Sequence, residues 1–488
     1  MNKIQSPKKL SWKKISFLIT LICSCPHSAF AVNLSLSDTS TLNRTEVSQI
    51  VYVTNEGTIQ EALKANQAQH TPLPISIMAK QHSQGGQTFS QNAVVLDMLG
   101  FSRVLSFDAQ KKQITVQPGI TWDGLQQYIN PYHLAVQVMQ DSYIFSVGGT
   151  LSADAHGEDF RTGSIDHTVV AFHLILANGE KVLVTPTLHP DLWKTVLGGY
   201  GTLGVISDVT LQLTDNNLLQ GHYYETDIDH FVHYFKQTIF PNLDINFFYA
   251  RLSIAPGNQF LRDIYIITSN DTHKLATDAP LNNPESMDFI IEPIFDWSRN
   301  SALGKVIRWD FEKKLINNKY ADDPLPRNII MRKPILFATD YHKRGYADWL
   351  QEYFIPLDQL PTFVNTLRAV AEKNNINLLN ATIRYVPKDN NILLSYAKTD
   401  CFSVVLYFEQ SLSTAEVEKT RNWTQQLIQA ALKTGGNYYL TYQNFATQQQ
   451  FEEAYPSYQA FKKIKNHYDP QGVFTNQFYQ HYFSTSSS

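Results

Sequence analysis

From about Val51 onward, apolar and polar positions change over in short bursts. "VYV", "PISIMA" and "AVVLDM" are brief apolar runs of strand length. "TIQEALKAN" instead spaces its apolar residues three and four apart, which predicts a helix, with Thr58 and Glu61 as a capping box. "VLSFDAQKKQITVQPG" reads as a hairpin, and a helix is expected to open at Thr121 in "TWDGLQQYI". "VVAFHLILANGEKVLVTP" reads as a second hairpin, Asn178-Gly179 supplying the positive φ angles of a tight turn. A helix around "HPDLWKTVL", a glycine cluster and the strand "GVISDVTLQLTD" complete this half. Beyond about Asn216 the segments lengthen. "DIYIIT", "NATIRYV" and "FSVVLYFE" predict strands, and "LPTFVNTLRAVAEKN" and "AEVEKTRNWTQQLIQAALKT" predict helices, while Asn282 to Arg332 fits neither period. The pattern predicts an α+β fold.

The first 31 residues differ. Lys8, Lys9, Lys13 and Lys14 precede the apolar run "ISFLITLIC", and Ala29 and Ala31 set an A-x-A cleavage site, the pattern of a secretory signal peptide. Export to the periplasm or beyond is therefore expected, with acylation at Cys25 as the alternative. Loss of the leader's five lysines takes the formal charge from −4 to −9, which argues against a nucleic-acid partner. It also leaves Cys401 as the one cysteine, so no internal disulfide is expected. No later stretch has the length of apolar residues that a membrane helix needs.

Glycine-rich segments carry the candidate chemistry. "GYGTLG" matches G-x-G-x-x-G at Gly199, Gly201 and Gly204. A dinucleotide fingerprint needs a strand before and a helix after, and here the order is reversed. "VGGTLSADAHGEDFRTG" and "KQHSQGGQ" are segments of small side chains whose backbone N–H groups can approach a phosphate or a flat ring. Two such segments facing each other would clamp a pyrophosphate. The histidines lack the spacing of zinc enzymes, and no G-x-S-x-G elbow is present.

The order "KQHSQGGQ", "VQPGITWDGLQQYI", "DSYIFSVGGTLSADAHGEDFRTGSIDHTVV", "LILANGE", "LGGYGTLGVISDVTLQL" resembles the PCMH-type FAD domain of the vanillyl-alcohol-oxidase flavoproteins. "QEYFIPLDQL", "NATIRYVPKDNNILLSYAKTD" and "YPSYQAFKKIKNHYDPQGVFTNQF" resemble the C-terminal half of its sugar, aldonolactone and alditol oxidase members. The resemblance implies a two-subdomain FAD-binding domain over 46–216, a substrate or cap domain with an antiparallel sheet and flanking helices over 217–434, and a C-terminal return over 435–488.

It also implies site residues. Ser83, Gln84, Gly85, Gly86 and Gln87, with Gly148, Gly149 and Thr150, would hold the FAD pyrophosphate. His82 matches the histidine that many members join covalently to the flavin, although Ala79, Lys80 and Gln81 replace the usual glycine-rich lead. Ser152, Ala153, His156 and Gly157 would line the flavin, Val205 and Ile206 would meet it through backbone groups, and Asn476 would contact the ring. Arg384 matches the arginine of a Glu-x-Arg pair whose glutamate is here Thr382. Tyr442 stands where ribose oxidases of the family have lysine, and its proton, shared with Arg384 or Lys398, would make it the proton acceptor. Asp141 occupies the place of the acid–base aspartate of cytokinin dehydrogenases. The implied activity is flavin-dependent oxidation of a CH–OH group in a small sugar-like substrate, with oxygen or another acceptor reoxidising the flavin. A CH–NH oxidising enzyme and a non-catalytic flavin-binding protein are the alternatives.

Overall fold

Three four-residue strands, Gln49–Tyr52, Ile75–Met78 and Val94–Asp97, form a small parallel sheet with Val94–Asp97 in the centre. Parallel strands need a crossover, and the helix Glu56–Gln67 provides it between Gln49–Tyr52 and Ile75–Met78, which flank the central strand. In this computed structural model, the residues described are 34–277, 280–281, 288–321, 323–332 and 343–484. The expected leader over 1–31 lies outside them, as do 282–287 and 322 of the stretch that fits neither period. The rest of that stretch is chiefly two helices, Asp288–Arg299 and Ala302–Ala321.

A second, antiparallel sheet orders its strands Lys181–Val184, Val169–Ile175, Val205–Asp215, Gln113–Val116 and Val104–Asp108, with Leu134–Val136 also paired to Val205–Asp215. Val205 pairs with Ile175 and is buried against Ile75 and Val94 of the parallel sheet, so one apolar cluster joins the two layers. Both sheets lie in the first half of the chain, before Asn216.

Eight strands form the third sheet, ordered Leu325–Pro326, Asn217–Asp227, Asp263–Leu275, Ile245–Leu252, Leu378–Val386, Cys401–Ser411, Tyr346–Pro356 and Asn437–Tyr438. All its pairings are antiparallel. Helices Leu360–Asn374 and Thr414–Lys433 bury an apolar stripe, including Phe363, Leu367, Trp423 and Leu427, in the main core. The chain then returns, and Ile75 of the parallel sheet bridges to Phe474. The fold is α+β with a sheet-based second half.

Three local expectations are corrected. The helix at "TIQEALKAN" begins at Glu56, and its cap is Asn55, whose side chain accepts from the Thr58 N–H, not a Thr58–Glu61 box. At Asn178-Gly179 only Gly179 has positive φ, +82°, and the Gly179 N–H reaches back to Leu176 O at 2.9 Å, giving a longer bulged loop. The start of the second glycine-rich segment, "VGGTLSA", expected to offer exposed backbone N–H groups, is a helix, Val147–Ala153, capped by the Ser146 hydroxyl.

Candidate active site

A cavity of about 500 Å³ lies between the glycine-rich segments of the first half and one face of the eight-stranded sheet. The wall on the side of the first half has three parts: Ala79 to Ser83, the helix residues Gly148, Gly149, Thr150, Ser152 and Ala153, and the turn Gly199 to Gly204 running into Val205 and Ile206.

The bend at Ala79 to Ser83 is made without glycine. Gln81 takes φ +58°, and its carbonyl accepts from the Thr39 N–H at 3.2 Å while the Thr39 hydroxyl reaches His82 O at 3.4 Å. A non-glycine residue in this region costs about 1 kcal/mol or more, which these contacts help offset. Among the described residues, the N–H groups of Lys80, Gln81, His82 and Ser83 meet no acceptor. A row of donors at a cavity wall, next to the Lys80 ammonium, suits a pyrophosphate. In the facing turn, the Gly201 N–H likewise has no acceptor among the described residues, and Gly201 has φ +69°. His82 packs edge-on against Phe145 with ring centroids 4.5 Å apart. Burial and then Lys80 push its imidazole down to about 4, so at neutral pH it is uncharged with a free lone pair.

Five of the expected cofactor residues stand behind this wall. Gln84 accepts from the Leu350 N–H at 3.0 Å and from Gln443 at 3.1 Å, fastening the loop to the third sheet. Gly85 and Gly157 lie so close to Tyr442 O and Met139 O that a Cβ would sit 2.4 and 2.3 Å from them. Gly86, φ +71°, passes under Gln477. The Asn476 amide donates to Gln87 O and Tyr200 O, both at 2.8 Å, and so ties the two cofactor-side loops together from the C-terminal return. Gln87 itself lines the cavity.

The opposite wall is built by strand register. Arg251, Thr382, Val405 and Glu352 stand directly across from one another on four neighbouring strands, and all four line the cavity. Asn380, Tyr407 and Leu350 form the next row. Arg384, Asp141 and Tyr442, the expected catalytic residues, meet here with His156. Arg384 Nη2 donates to Asp141 Oδ2 at 2.5 Å. Burial alone would lower the guanidinium's pKa, but Asp141, Glu158, Glu352 and Tyr442 outweigh it and hold the arginine charged. His156 Nε2 lies 2.6 Å from Glu352 Oε1, which also accepts from the Ser403 hydroxyl. Burial raises Glu352, yet His156, Ser403 and Arg384 hold it below its ordinary value as a carboxylate. The Tyr442 hydroxyl donates to Glu352 Oε2 at 3.5 Å, and burial followed by that carboxylate pushes the phenol well up. Tyr442 therefore turns to Glu352, not to Lys398, whose ammonium donates to Glu453 O at 3.1 Å.

Glu352 did not figure among the sequence candidates. Its signal was an acid in the apolar strand "YADWLQEYFIP", where a buried carboxylate needs partners. Glu352 stands two strands from Thr382, in the same row. Glu158, Arg251, Arg308 and Glu312 also line the cavity and carry no local sequence signal.

Comparison with known proteins fits this geometry. A family model described as FAD binding domain matches residues 47–185, and one described as D-arabinono-1,4-lactone oxidase matches 336–482. The chain is similar to L-gulonolactone oxidase of Mus musculus, 24% identical over 448 residues, or 88% of this chain and 94% of the relative. It is 24% identical over 427 residues to decaprenylphosphoryl-beta-D-ribose oxidase of Mycolicibacterium smegmatis (80% and 86%). Against L-galactono-1,4-lactone dehydrogenase, mitochondrial, of Arabidopsis thaliana, identity is 25% over 225 residues (45% and 35%). In both matched regions and along the relatives' length the chain resembles PCMH-type FAD-binding oxidoreductases. It is an FAD-linked oxidoreductase whose C-terminal part matches the D-arabinono-1,4-lactone oxidase model. No helix among the described residues is long and apolar enough to cross a membrane.

Proposed function

We infer that the protein oxidises a CH–OH group of a sugar-like substrate. The observation that carries this reading is the grouping of Arg384, Glu352, Tyr442 and His156 on the wall facing the FAD-side loops. FAD, when bound, supplies the acceptor for the substrate's hydride. Lys80 and the free N–H groups of Lys80 to Ser83 would hold its pyrophosphate, and Val205 and Ile206 would lie along its ring.

Arg384 remains charged through any working pH and supplies positive charge where negative charge accumulates during hydride transfer. Tyr442 keeps its own proton and donates toward Glu352, so a substrate hydroxyl can pass its proton to Tyr442 Oη as the tyrosine's proton moves to Glu352 Oε2. His156, on the other oxygen of that carboxylate, orients it. Thr382 and Asn380 offer hydrogen bonds to neighbouring hydroxyls; Asn380 Oδ1 is buried with no protein partner among the described residues. Asp141, the residue that favours a CH–NH substrate, is engaged by Arg384, which occupies its Oδ2. The leader over 1–31 supports a site of action outside the cytoplasm, and N-terminal sequencing of protein from fractionated cells tests that.

The experiment is anaerobic mixing of the holoenzyme with aldoses, aldonolactones, alditols and secondary amines, followed by flavin absorbance. Bleaching by members of the CH–OH group supports the reading. Bleaching by amines alone sinks it.

A further inference from the structure

We propose that the cavity end walled by Arg251 and Arg308 binds an anionic group of the substrate, a carboxylate or a phosphate. This rests on the sugar-like substrate inferred above and narrows it to acidic sugars.

Arg251 reaches the cavity from strand Ile245–Leu252 and Arg308 from helix Ala302–Ala321. Both are held by one carboxylate: Glu312 Oε2 lies 3.1 Å from Arg251 Nη2, and Oε1 lies 2.7 Å from Arg308 Nε. Arg308 also donates from Nη1 to Leu379 O at 2.8 Å and to Ser298 at 3.3 Å, and its guanidinium lies over the Phe295 ring, 4.3 Å from the centroid. The pair is thus rigidly placed, yet among the described residues the two cations share a single negative charge.

Arg251 Nε is buried and meets no acceptor among the described residues, and neither Arg251 Nη1 nor Arg308 Nη2 has one there. The charge imbalance shows in the titration of the two groups. Burial lowers both arginines; Glu312 more than restores Arg251, while Arg308 stays below its ordinary value with Arg251 repelling it. Glu312 is held ionised by the two guanidiniums in spite of its burial. A buried cation pair with one counter-charge is costly in a closed core. Beside a cavity, the spare donors are instead what a planar carboxylate or a phosphate engages in paired hydrogen bonds. Asp141 and Glu352 do not supply the missing charge, since the first is paired with Arg384 and the second with His156.

The two family models cover 47–185 and 336–482, and Arg251, Arg308 and Glu312 all lie between them. Both arginines and Glu312 line the same cavity as Arg384 and Tyr442, so a ligand can span from one group to the other.

The test compares three forms of one sugar on the holoenzyme: the neutral aldose, its uronic acid and its terminal phosphate ester. Expected is a kcat/KM at least about tenfold higher for one of the acidic forms than for the neutral one, a tenfold step being about 1.4 kcal/mol; which acid wins separates carboxylate from phosphate. Inorganic phosphate or acetate should perturb the flavin spectrum saturably. Arg251→Gln should cut the acidic-to-neutral ratio by about the same factor, and Glu312→Gln, which removes the competing carboxylate, should tighten anion binding. Equal turnover of all three forms with no anion-dependent spectral change overturns the proposal and leaves CH–OH oxidation standing. If no sugar reduces the flavin but anions still bind in an Arg251-dependent way, the oxidation reading fails and the anion subsite stands. Loss of anion affinity in Glu312→Gln with its fold intact would also overturn it.

Discussion

Arg384 and Asp141, 243 positions apart in the chain, meet at 2.5 Å between Nη2 and Oδ2 on the cavity wall. The contact joins the eight-stranded sheet to the segment just before the helix Val147–Ala153, so it fixes the direction of a charge that sits opposite the cofactor side. Asp141→Asn keeps a hydrogen bond but loses the ionic part, and Arg384 gains freedom to turn. The rate of flavin reduction should fall about tenfold to a hundredfold, the scale of a misplaced catalytic charge. Arg384→Lys should cost more, because a point charge on a flexible stem replaces the fixed fork. Stopped-flow reduction measures both. An unchanged rate in Asp141→Asn would make the pair a structural tie.

Asn476 gives a second prediction. Its amide holds Gln87 O and Tyr200 O while its oxygen caps the Tyr479 N–H at 2.9 Å, all in a buried setting. Asn476→Asp turns the donor into an acceptor that faces two carbonyl groups, a mismatch of about 2 to 4 kcal/mol. The two cofactor-side loops should separate, and FAD retained through gel filtration should drop while the sheets persist by circular dichroism. Asn476→Ala, which leaves two carbonyls unsatisfied without repulsion, should fall between the two. Full flavin content in Asn476→Asp would show that the loops do not need the tie.

Elements with a local cause were legible in the chain. The helix Leu360–Asn374 spans the segment its apolar spacing marks out, and Thr121 caps the helix Trp122–Ile129 because a hydroxyl there accepts from the Gly124 N–H. The His82 loop and the Gly199 to Gly204 turn were visible because glycine and small polar residues interrupt apolar runs. Other features were set by distant partners. Gly148 opens a helix because Ser146 caps it and Pro118 packs where a Cβ would stand, 2.6 Å away. Glu352 becomes a neighbour of Arg384 only through the pairing of two strands with Cys401–Ser411. Arg251, Arg308 and Glu312 come from a strand and a helix with no motif in common, and only their convergence on one cavity gives them meaning.

His82 carries the third prediction. A neutral, buried imidazole at the cavity wall has the lone pair needed to bond to a carbon of FAD, as the family resemblance implies. Acid-precipitated wild-type protein should retain its yellow colour in the pellet, and His82→Ala should release it to the supernatant. The variant should still bind FAD, since the N–H groups of Lys80 to Ser83 belong to the backbone. Colour that stays with precipitated His82→Ala would place the attachment elsewhere.

Asp389 supplies a prediction about pH. Its Oδ2 is buried without a partner among the described residues, although Oδ1 accepts from the Asn391 N–H at 2.7 Å. Burial, followed by repulsion from Asp166, raises its carboxyl to about 6. Between an ordinary aspartate value near 4 and about 6, the folded protein therefore holds a proton that the unfolded chain has released. Stability falls as pH rises through that window and stays lower above it. Asp389→Asn removes the titration, replaces the unpaired oxygen with a neutral amide and keeps an oxygen for Asn391. Its thermal midpoint should match wild type most closely near pH 4, pull ahead between about pH 4 and 6, and hold a constant lead of several degrees at pH 7 to 8. Differential scanning fluorimetry at pH 4.5, 6 and 7.5 reads this directly. A lead that shrinks as pH rises would reverse the sign and show that the charged carboxylate is stabilised in the fold.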